Sequence, residues 1–370
     1  MFSNMDLKPL KSPDYLILFC TALLILFGLV MLSSASANLG KLRFDDNYFF
    51  LKHQLLYGLL PGLIGFAFTY RIFYGFYEKI ALPLLIVFII LLLLLFTPLG
   101  IESGGAGRWL DLNIFSFQPS EFLKIGFILY LAAWLVGSRE RGDNWWRGFA
   151  PFISILFVIG AILLKQSSTS TFALLLGTAC IMYFVSGAKH SFLMSIVATS
   201  LAGLLLISYL TPYRWARIMT YFRPGNNPET SDYHINQALI AIGSGGATGV
   251  GFGQSTTKIK YLPEPIGDSI FAIVGEELGF LGTTMVITVI FILIFKIFMI
   301  SRKIPHKFGQ LTLVGFGSLL SLQVFMNIAA ISGLIPLTGV SLPFISYGGT
   351  GLVAYMTIIG IIANISKYAR

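Results

Sequence analysis

The chain is poor in charged residues and almost devoid of cysteine. Only 11% of its 370 residues are Asp, Glu, Lys or Arg, and 56% are hydrophobic; soluble domains carry about 25% charged residues. One water-soluble core cannot hide so much apolar surface, so we expect lipid to solvate much of it. Cys20 and Cys180 both lie inside apolar runs, which excludes a disulfide framework and cysteine zinc spacing and indicates small packed side chains.

Nucleic-acid binding is also disfavoured, although the net charge is +9. The charges fall between apolar runs, where they orient helices, and form no basic cluster on an amphipathic or aromatic-interleaved face. A glycine-rich run at 243–253 could suggest a phosphate cradle. It lacks the Lys-Ser/Thr ending of a P-loop and the strand before it, so tight turns are the favoured interpretation.

Ten apolar stretches are long enough to cross about 30 Å of hydrocarbon. They lie near 15–35, 52–70, 79–98, 119–137, 150–165, 171–187, 190–210, 268–298, 310–334 and 348–366. The predicted fold class is an all-α polytopic membrane protein, a bundle of about ten transmembrane helices. We expect a single domain over 1–370, with a long loop at 211–267 between helices 7 and 8. The first apolar run exceeds the h-region of a cleavable signal peptide, so we expect it to be a retained helix.

Positive charge predicts the orientation of this bundle. Outside the long loop, Lys and Arg concentrate in short segments on one side, chiefly Arg139, Arg141, Arg147, Arg302, Lys303 and Lys307. Such segments stay in the cytosol, so we predict cytosolic termini and an external 211–267 loop. Loops of this length are usually functional or disordered, and the aromatic content of this one argues against simple disorder.

Two ionisable residues lie within the start of the fourth predicted span. Glu121 and Lys124 follow Pro119, which suits the first position of a helix. Their spacing of three residues puts both side chains on one helical face, where they can form an ion pair. Ionisable residues in a membrane are costly and often functional. A pair that fixes helix packing and a pair that takes part in catalysis are both open interpretations.

A second acidic group begins the eighth predicted span. Asp268 is expected at its external end, and Glu276 and Glu277 follow. At about 100° per residue, Glu276 lies about 80° around the helix from Asp268 and Glu277 about 180°. Asp268 and Glu276 could therefore share a site, whereas Glu277 could not. An Asp at a helix start is also a common N-cap.

Other polar residues are expected near the same membrane face. Arg108 and Trp109 precede the fourth span, and Glu264 precedes the eighth. A cation, an aromatic ring and carboxylates at the mouth of a bundle suit an anionic, sugar-like or lipid-like ligand. Composition and spacing leave an enzyme and a transporter both open.

Several strings resemble one known family along almost the whole chain. They are Gly107-Arg-Trp-Leu-Asp-Leu112, Phe117-Gln-Pro-Ser-Glu-Phe-Leu-Lys124, Tyr233-His-Ile-Asn-Gln237, Leu262-Pro-Glu264, Asp268-Ser-Ile-Phe271, Glu276-Glu-Leu-Gly279 and Pro336-Leu-Thr-Gly-Val-Ser-Leu-Pro343. In this order they resemble the SEDS proteins (shape, elongation, division and sporulation), slightly closer to the division branch. The resemblance runs from about residue 15 to 366.

This resemblance implies a peptidoglycan glycosyltransferase that polymerises lipid II outside the bacterial cytoplasmic membrane. Asp268 would be the general base, with Glu121 and Lys124 in support. The substrate-binding residues would be Arg108, Trp109, Arg217, Glu264 and Glu276. The resemblance further implies a class B penicillin-binding transpeptidase as partner, contact with membrane lipid, and Mg or Mn as a divalent cation, with no organic cofactor.

One departure from the family pattern keeps other functions open. The family usually has Gln-Pro-Asp-x-Gly-Thr between the fifth and sixth helices, whereas this chain has Gln166-Ser-Ser-Thr-Ser-Thr171. Ser168 therefore replaces a carboxylate that would help to bind a metal or pyrophosphate. The alternatives are a flippase for a lipid-linked precursor and an inactive scaffold that activates a transpeptidase.

Overall fold

The computed structural model describes residues 12–103, 106–111, 116–136, 150–187 and 231–370, together with scattered positions between 194 and 222. Its helices are α1 Tyr15–Phe44, α2 Phe49–Gln54, α3 Leu60–Arg71, α4 Tyr74–Leu93, α5 Pro119–Val136, α6 Ala150–Lys165, α7 Thr169–Ser186, α8 Ser231–Ser244, α9 Thr257–Lys260, α10 Ile270–Ser301, α11 Lys307–Ile331 and α12 Gly349–Ser366. Its strands are β1 Gly100–Ser103, β2 Ala106–Asp111 and β3 Ser116–Phe117.

The prediction of a polytopic helical membrane protein is confirmed. Among the described residues, seven helices are long and apolar enough to cross a membrane: α1, α4 with its 3-10 extension, α5, α7, α10, α11 and α12. The shorter α6 and the continuous segment 49–71, where a π-turn joins α2 to α3, coincide with two further predicted spans. The predicted span at 190–210 lies mostly outside the described residues. The single-domain organisation stays a prediction.

Lipid-facing surfaces follow directly from the apolar sequence. Large apolar side chains remain exposed along α4 at Leu82, Ile86 and Ile90, and along α10 at Phe291 and Phe295. Their spacing of four residues places each set on one helical face. Such a stripe would be costly in water, so hydrocarbon is its natural solvent.

A small antiparallel sheet precedes α5, which the sequence analysis did not predict. Strand β2 is central, pairing Trp109 with Ile101 of β1 and Leu110 with Phe117 of β3. The sheet carries Arg108 and Trp109 and leads directly into Pro119, the first residue of α5. The sheet therefore fixes the backbone at Arg108 and Trp109, which residue spacing alone could not place.

Helix α10 is broken near its first third, at Gly279. This glycine has φ 66° and ψ −161°, a conformation that L-residues adopt only at a high cost. The glycine-rich run packs into the break: the N–H of Val250 donates to the carbonyl of Glu276 at 2.9 Å, and the N–H of Phe280 donates to the carbonyl of Gly246 at 2.9 Å. These bonds replace helical hydrogen bonds that the break removes.

Close contact between backbones explains why this run is rich in glycine. A Cβ atom at Gly279 would lie 2.3 Å from the backbone nitrogen of Gly249, and one at Gly249 would lie 2.1 Å from the carbonyl oxygen of Glu277. No side chain fits at either position. The run forms turns, as the sequence predicts, and these turns pack against the helix.

Candidate active site

One cavity brings together most of the residues singled out from the sequence. It has a volume of about 620 Å³ and lies between the sheet, the starts of α5 and α7, the segment 264–268 and the segment 339–348. This size is typical of small-molecule sites. The predicted residues that line it are Arg108, Trp109, Glu121, Lys124, Glu264 and Asp268.

Asp268 lies in a loop rather than in the helix that the sequence analysis assigned to it. Helix α10 begins at Ile270, and Ser269 is its N-cap residue. We call residues 263–269 the acidic loop, because it carries Glu264 and Asp268 into the cavity. Glu264 adopts a left-handed conformation with φ 46°, and such strain in a non-glycine residue is common at functional sites.

The prediction that Glu276 shares a cavity with Asp268 is wrong. Glu276 is buried, and its carboxylate accepts hydrogen bonds from the Ser255 hydroxyl at 2.5 Å, the Thr256 N–H at 3.0 Å and the Thr257 hydroxyl. It therefore caps the start of α9 instead of lining the cavity. The angle of about 80° between the two residues assumed one continuous helix. Asp268 precedes the helix, so helical periodicity does not extend to it.

The neighbouring Glu277 is also used within the fold. Its carboxylate lies 2.6 Å from the ammonium of Lys258 and accepts from the Ser34 hydroxyl at 2.6 Å. Both charged side chains are almost completely buried. As expected, Glu277 does not line the cavity with Asp268. Arg217, the remaining predicted residue, lies outside the described residues.

Glu121 and Lys124 form the ion pair that their spacing predicts. The Lys124 ammonium lies 2.7 Å from the Glu121 carboxylate and donates to the amide oxygen of Gln323 at 3.2 Å. Gln323 in turn donates to the carbonyl of Ser341 at 3.1 Å and to the hydroxyl of Tyr355. All four side chains line the cavity. A buried network of this kind holds its members in one arrangement.

Two arginines give the cavity positive charge that the ion pair does not offset. Arg108 donates to the carbonyl of Ser167 at 2.5 Å, which ties the sheet to the segment before α7. Arg43 also lines the cavity. Arg43 was not predicted, because the first span was expected to end near residue 35, whereas α1 continues to Phe44. Guanidinium groups suit a phosphate-bearing ligand.

Tyr347 was not predicted either, and it contacts the acidic loop. Its N–H donates to the carbonyl of Ile266 at 2.8 Å, and its hydroxyl lies 2.9 Å from Nδ1 of His53. Burial raises the pKa of Tyr347 to about 12, so the phenol stays protonated at physiological pH and can donate to His53. A loop tyrosine gives no periodic signal that could have indicated this position.

Ser168, which stands where the family carries Asp, is the N-cap residue of α7. Its side chain is buried and makes no capping hydrogen bond. It directly follows Ser167, whose carbonyl binds Arg108. Thr171, in the first turn of α7, lines the cavity. The substitution therefore lies beside the cavity wall rather than in a remote part of the bundle.

The fit of a divalent cation can be judged from the donor groups. No group of three His, Cys, Asp or Glu side chains among the described residues is arranged to hold a metal by itself. Glu264 and Asp268 do line the same cavity. Mg²⁺ is commonly held by one or two carboxylates together with substrate phosphates. The residues present fit a cation of that kind, bound jointly with a phosphate ligand.

The fold and cavity define a class: a multi-pass helical membrane protein with acidic and cationic groups at one internal site. The family model described as "Cell cycle protein", covering FtsW, RodA and SpoVE, matches residues 14–370. The chain therefore belongs to the SEDS family.

Relatives of similar length carry names from the same family. The chain is 37% identical to stage V sporulation protein E of Bacillus subtilis, covering 97% of this chain and 98% of that protein. It is 34% identical to a probable peptidoglycan glycosyltransferase FtsW of Geobacter sp., covering 98% and 99%.

Solved structures agree with this assignment. A chain from a structure on the coordination of polymerization and crosslinking by a peptidoglycan synthase complex superposes with a TM-score of 0.80 at 25% identity, covering 96% of this chain and 98% of that one. The rod shape determining protein RodA of Thermus thermophilus superposes with a TM-score of 0.71 at 26% identity, covering 96% and 97%.

Proposed function

We propose that this protein is a peptidoglycan glycosyltransferase that polymerises lipid II at the outer face of the bacterial cytoplasmic membrane, with both termini in the cytosol. The observation that carries the proposal is the shared cavity: Asp268 and Glu264 line it together with Arg43, Arg108 and Trp109. Relatives over nearly the full length are named as probable enzymes of this kind. The names FtsW and SpoVE favour a role in division or sporulation.

The chemistry requires one base and several cations. An acceptor sugar hydroxyl attacks the anomeric carbon of the lipid-linked donor, and the bond from that carbon to the pyrophosphate oxygen breaks. Asp268 takes the hydroxyl proton, and the lipid pyrophosphate leaves with the bonding electron pair. Arg43 and Arg108 stabilise the charge that develops on the pyrophosphate. Direct attack on an α-linked donor gives a β-linked glycan.

The remaining residues orient the reactants. Trp109 offers an aromatic face on which a sugar ring packs. Lys124 is held by Glu121 and Gln323, so its charge stays fixed at the cavity wall. A bound Mg²⁺ or Mn²⁺ would neutralise pyrophosphate charge, and Glu264 would hold it jointly with the phosphates.

The proposed partner is a class B penicillin-binding transpeptidase. A structural neighbour belongs to a peptidoglycan synthase complex that couples polymerization with crosslinking, and the likeness covers almost all of this chain. Crosslinking consumes the glycan strands that polymerisation makes, so physical coupling of the two reactions brings substrate to the second enzyme at high effective concentration.

The decisive test is polymerisation by the purified protein with its transpeptidase, lipid II and a divalent cation. Asp268→Asn should lower the rate at least about 10²-fold, because a positioned general base contributes about that much or more. Asp45→Asn is the matched control: Asp45 is exposed, lies outside the cavity and should leave the rate unchanged. Full activity of Asp268→Asn would remove Asp268 from the mechanism.

The same preparation separates the alternative functions. A flippase would move labelled lipid II across vesicles even when Asp268→Asn has stopped polymerisation, whereas a glycosyltransferase need not. A scaffold would stimulate its transpeptidase partner without making glycan strands. Strand formation that depends on Asp268 favours the enzyme over both.

A further inference from the structure

Asn327 of α11 is a buried amide that holds the backbone of the proposed base. Its side-chain NH₂ donates to the carbonyl of Asp268 at 2.9 Å and to the carbonyl of Val340 at 2.7 Å. Both partners are acceptors, so the NH₂ group and not the amide oxygen must face them. The residue is 1% exposed, and the two bonds join the acidic loop to the neighbouring segment 339–348.

Other elements hold the same loop by its carbonyls. The Ser346 hydroxyl donates to the carbonyl of Gly267 at 2.8 Å, and within the loop itself the Ser269 hydroxyl donates to the carbonyl of Pro263 at 2.8 Å. Because Ser269 uses its single proton there, the 2.6 Å contact with His234 requires Nε2 of His234 to be the donor. Side chains from α8, α11 and the segment before α12 therefore converge on seven consecutive residues.

Packing alone does not hold the acidic loop in place. A second cavity of about 140 Å³ adjoins it and is lined by Asp268, Glu264, His234 and Asn327, among others. Empty or hydrated space on that side leaves the loop room to shift. The strained φ of Glu264 also favours relaxation. Hydrogen bonds to the loop backbone, added to the burial of Ile266, therefore help to set where the Asp268 carboxylate lies.

We propose that Asn327 is a positioning residue for Asp268, fixing the base within reach of the acceptor hydroxyl without touching substrate. The inference rests on the proposed function and adds a residue to it. A displacement of about 1 Å at a reacting group can cost about 10²-fold in rate. Loss of the two hydrogen bonds that the Asn327 side chain donates should therefore affect the chemical step much more than lipid II binding.

The experiment compares Asn327→Asp with wild type in the polymerisation assay, using the full chain with its partner. Asp has nearly the shape of Asn but places an acceptor against the two carbonyls. We expect the rate at saturating lipid II to fall about 10²-fold, while lipid II affinity stays within about threefold. Asn364→Asp is the matched control. Asn364 is also buried and donates to the carbonyl of Tyr70 at 2.7 Å, far from the cavity.

Asn364→Asp loses its donated hydrogen bond but keeps the one accepted from the Tyr74 N–H. It should lower thermal stability and leave the rate per folded molecule unchanged. If Asn327→Asp does not fold, Ser346→Ala removes the parallel anchor and should lower the rate about tenfold. A wild-type rate in Asn327→Asp would overturn the inference, as would a wild-type rate in Ser346→Ala if that variant replaces it. Asp268→Asn tests the proposed function separately. Equal rate losses in Asn327→Asp and Asn364→Asp would also overturn it.

Discussion

Two acidic pairs lie close together along the chain, between residues 264 and 277, and the structure uses them in opposite ways. Glu264 and Asp268 line a large cavity, on a loop fixed through its backbone. Glu276 and Glu277 are buried, and their carboxylates are occupied by Ser255, Thr256 and Thr257, and by Ser34 and Lys258. The first pair lines the cavity, whereas protein donors satisfy the carboxylates of the second pair.

The difference shows what distinguishes a carboxylate that lines the cavity from one that is buried in this bundle. A buried carboxylate is stable only when protein donors satisfy it. Glu276 and Glu277 meet this need chiefly by binding the segment 255–258, which leads into the acidic loop. The buried pair thus supports the cavity-lining pair through the chain that connects them.

The largest expected effect comes from breaking the buried ion pair. Lys258→Met leaves the Glu277 carboxylate buried without its cation, and we expect a loss of about 3–5 kcal/mol in the free energy of unfolding. Thermal or denaturant unfolding in detergent measures it. Asp268→Asn should change stability by no more than about 0.5 kcal/mol. The double variant Lys258→Met/Glu277→Leu should recover most of the loss, and equal effects for Lys258→Met and Asp268→Asn would contradict the contrast.

A smaller loss is expected for the cap of α9. Glu276→Gln keeps the shape but removes the charge that strengthens its hydrogen bonds, so we expect a cost of about 2 kcal/mol. The readout is again unfolding, with the polymerisation rate of the folded fraction measured beside it. A selective loss of rate with unchanged stability would return Glu276 to the substrate-binding role that the sequence suggested.

Replacing Glu264, whose carboxylate lines the cavity, should raise the free energy of unfolding rather than lower it. Glu264 has φ 46°, which costs an L-residue about 1–2 kcal/mol, whereas glycine's extra chain entropy costs about 0.5–1 kcal/mol. Glu264→Gly should therefore stabilise the protein by about 0.5 kcal/mol and still reduce polymerisation. Glu264→Ala, which keeps the strain, is the control. A destabilised Glu264→Gly variant would show that the carboxylate also serves the fold.

A stability effect of similar small size is expected at Ser168, where a carboxylate can be restored. Asp at the N-cap of α7 can accept from the first-turn N–H groups and should add about 0.5 kcal/mol. Because Arg108 binds the adjacent Ser167 carbonyl, Ser168→Asp should also alter the divalent-cation dependence of polymerisation. Ser168→Asn, which can also cap α7 but carries no charge, is the comparison. An unchanged cation profile would mean that the departure from the family pattern has no effect on metal use.

Residue spacing within one helix correctly predicted the contacts within that helix. The Glu121–Lys124 pair lies as its three-residue spacing requires, because both residues belong to one uninterrupted helix. The same reasoning failed for Asp268 and Glu276, since the helix begins only at Ile270. The sheet that carries Arg108 and Trp109 was missed because its strands are short and make their bonds with each other.

By itself, the sequence determined the membrane class and the family, because hydropathy and motif order depend only on composition and chain order. Only the tertiary structure decided which carboxylates reach the cavity. That choice depends on the start of α10, the break at Gly279 and the long-range hydrogen bonds of His234, Asn327 and Ser346. Such contacts join residues far apart in the chain, and no periodic pattern encodes them.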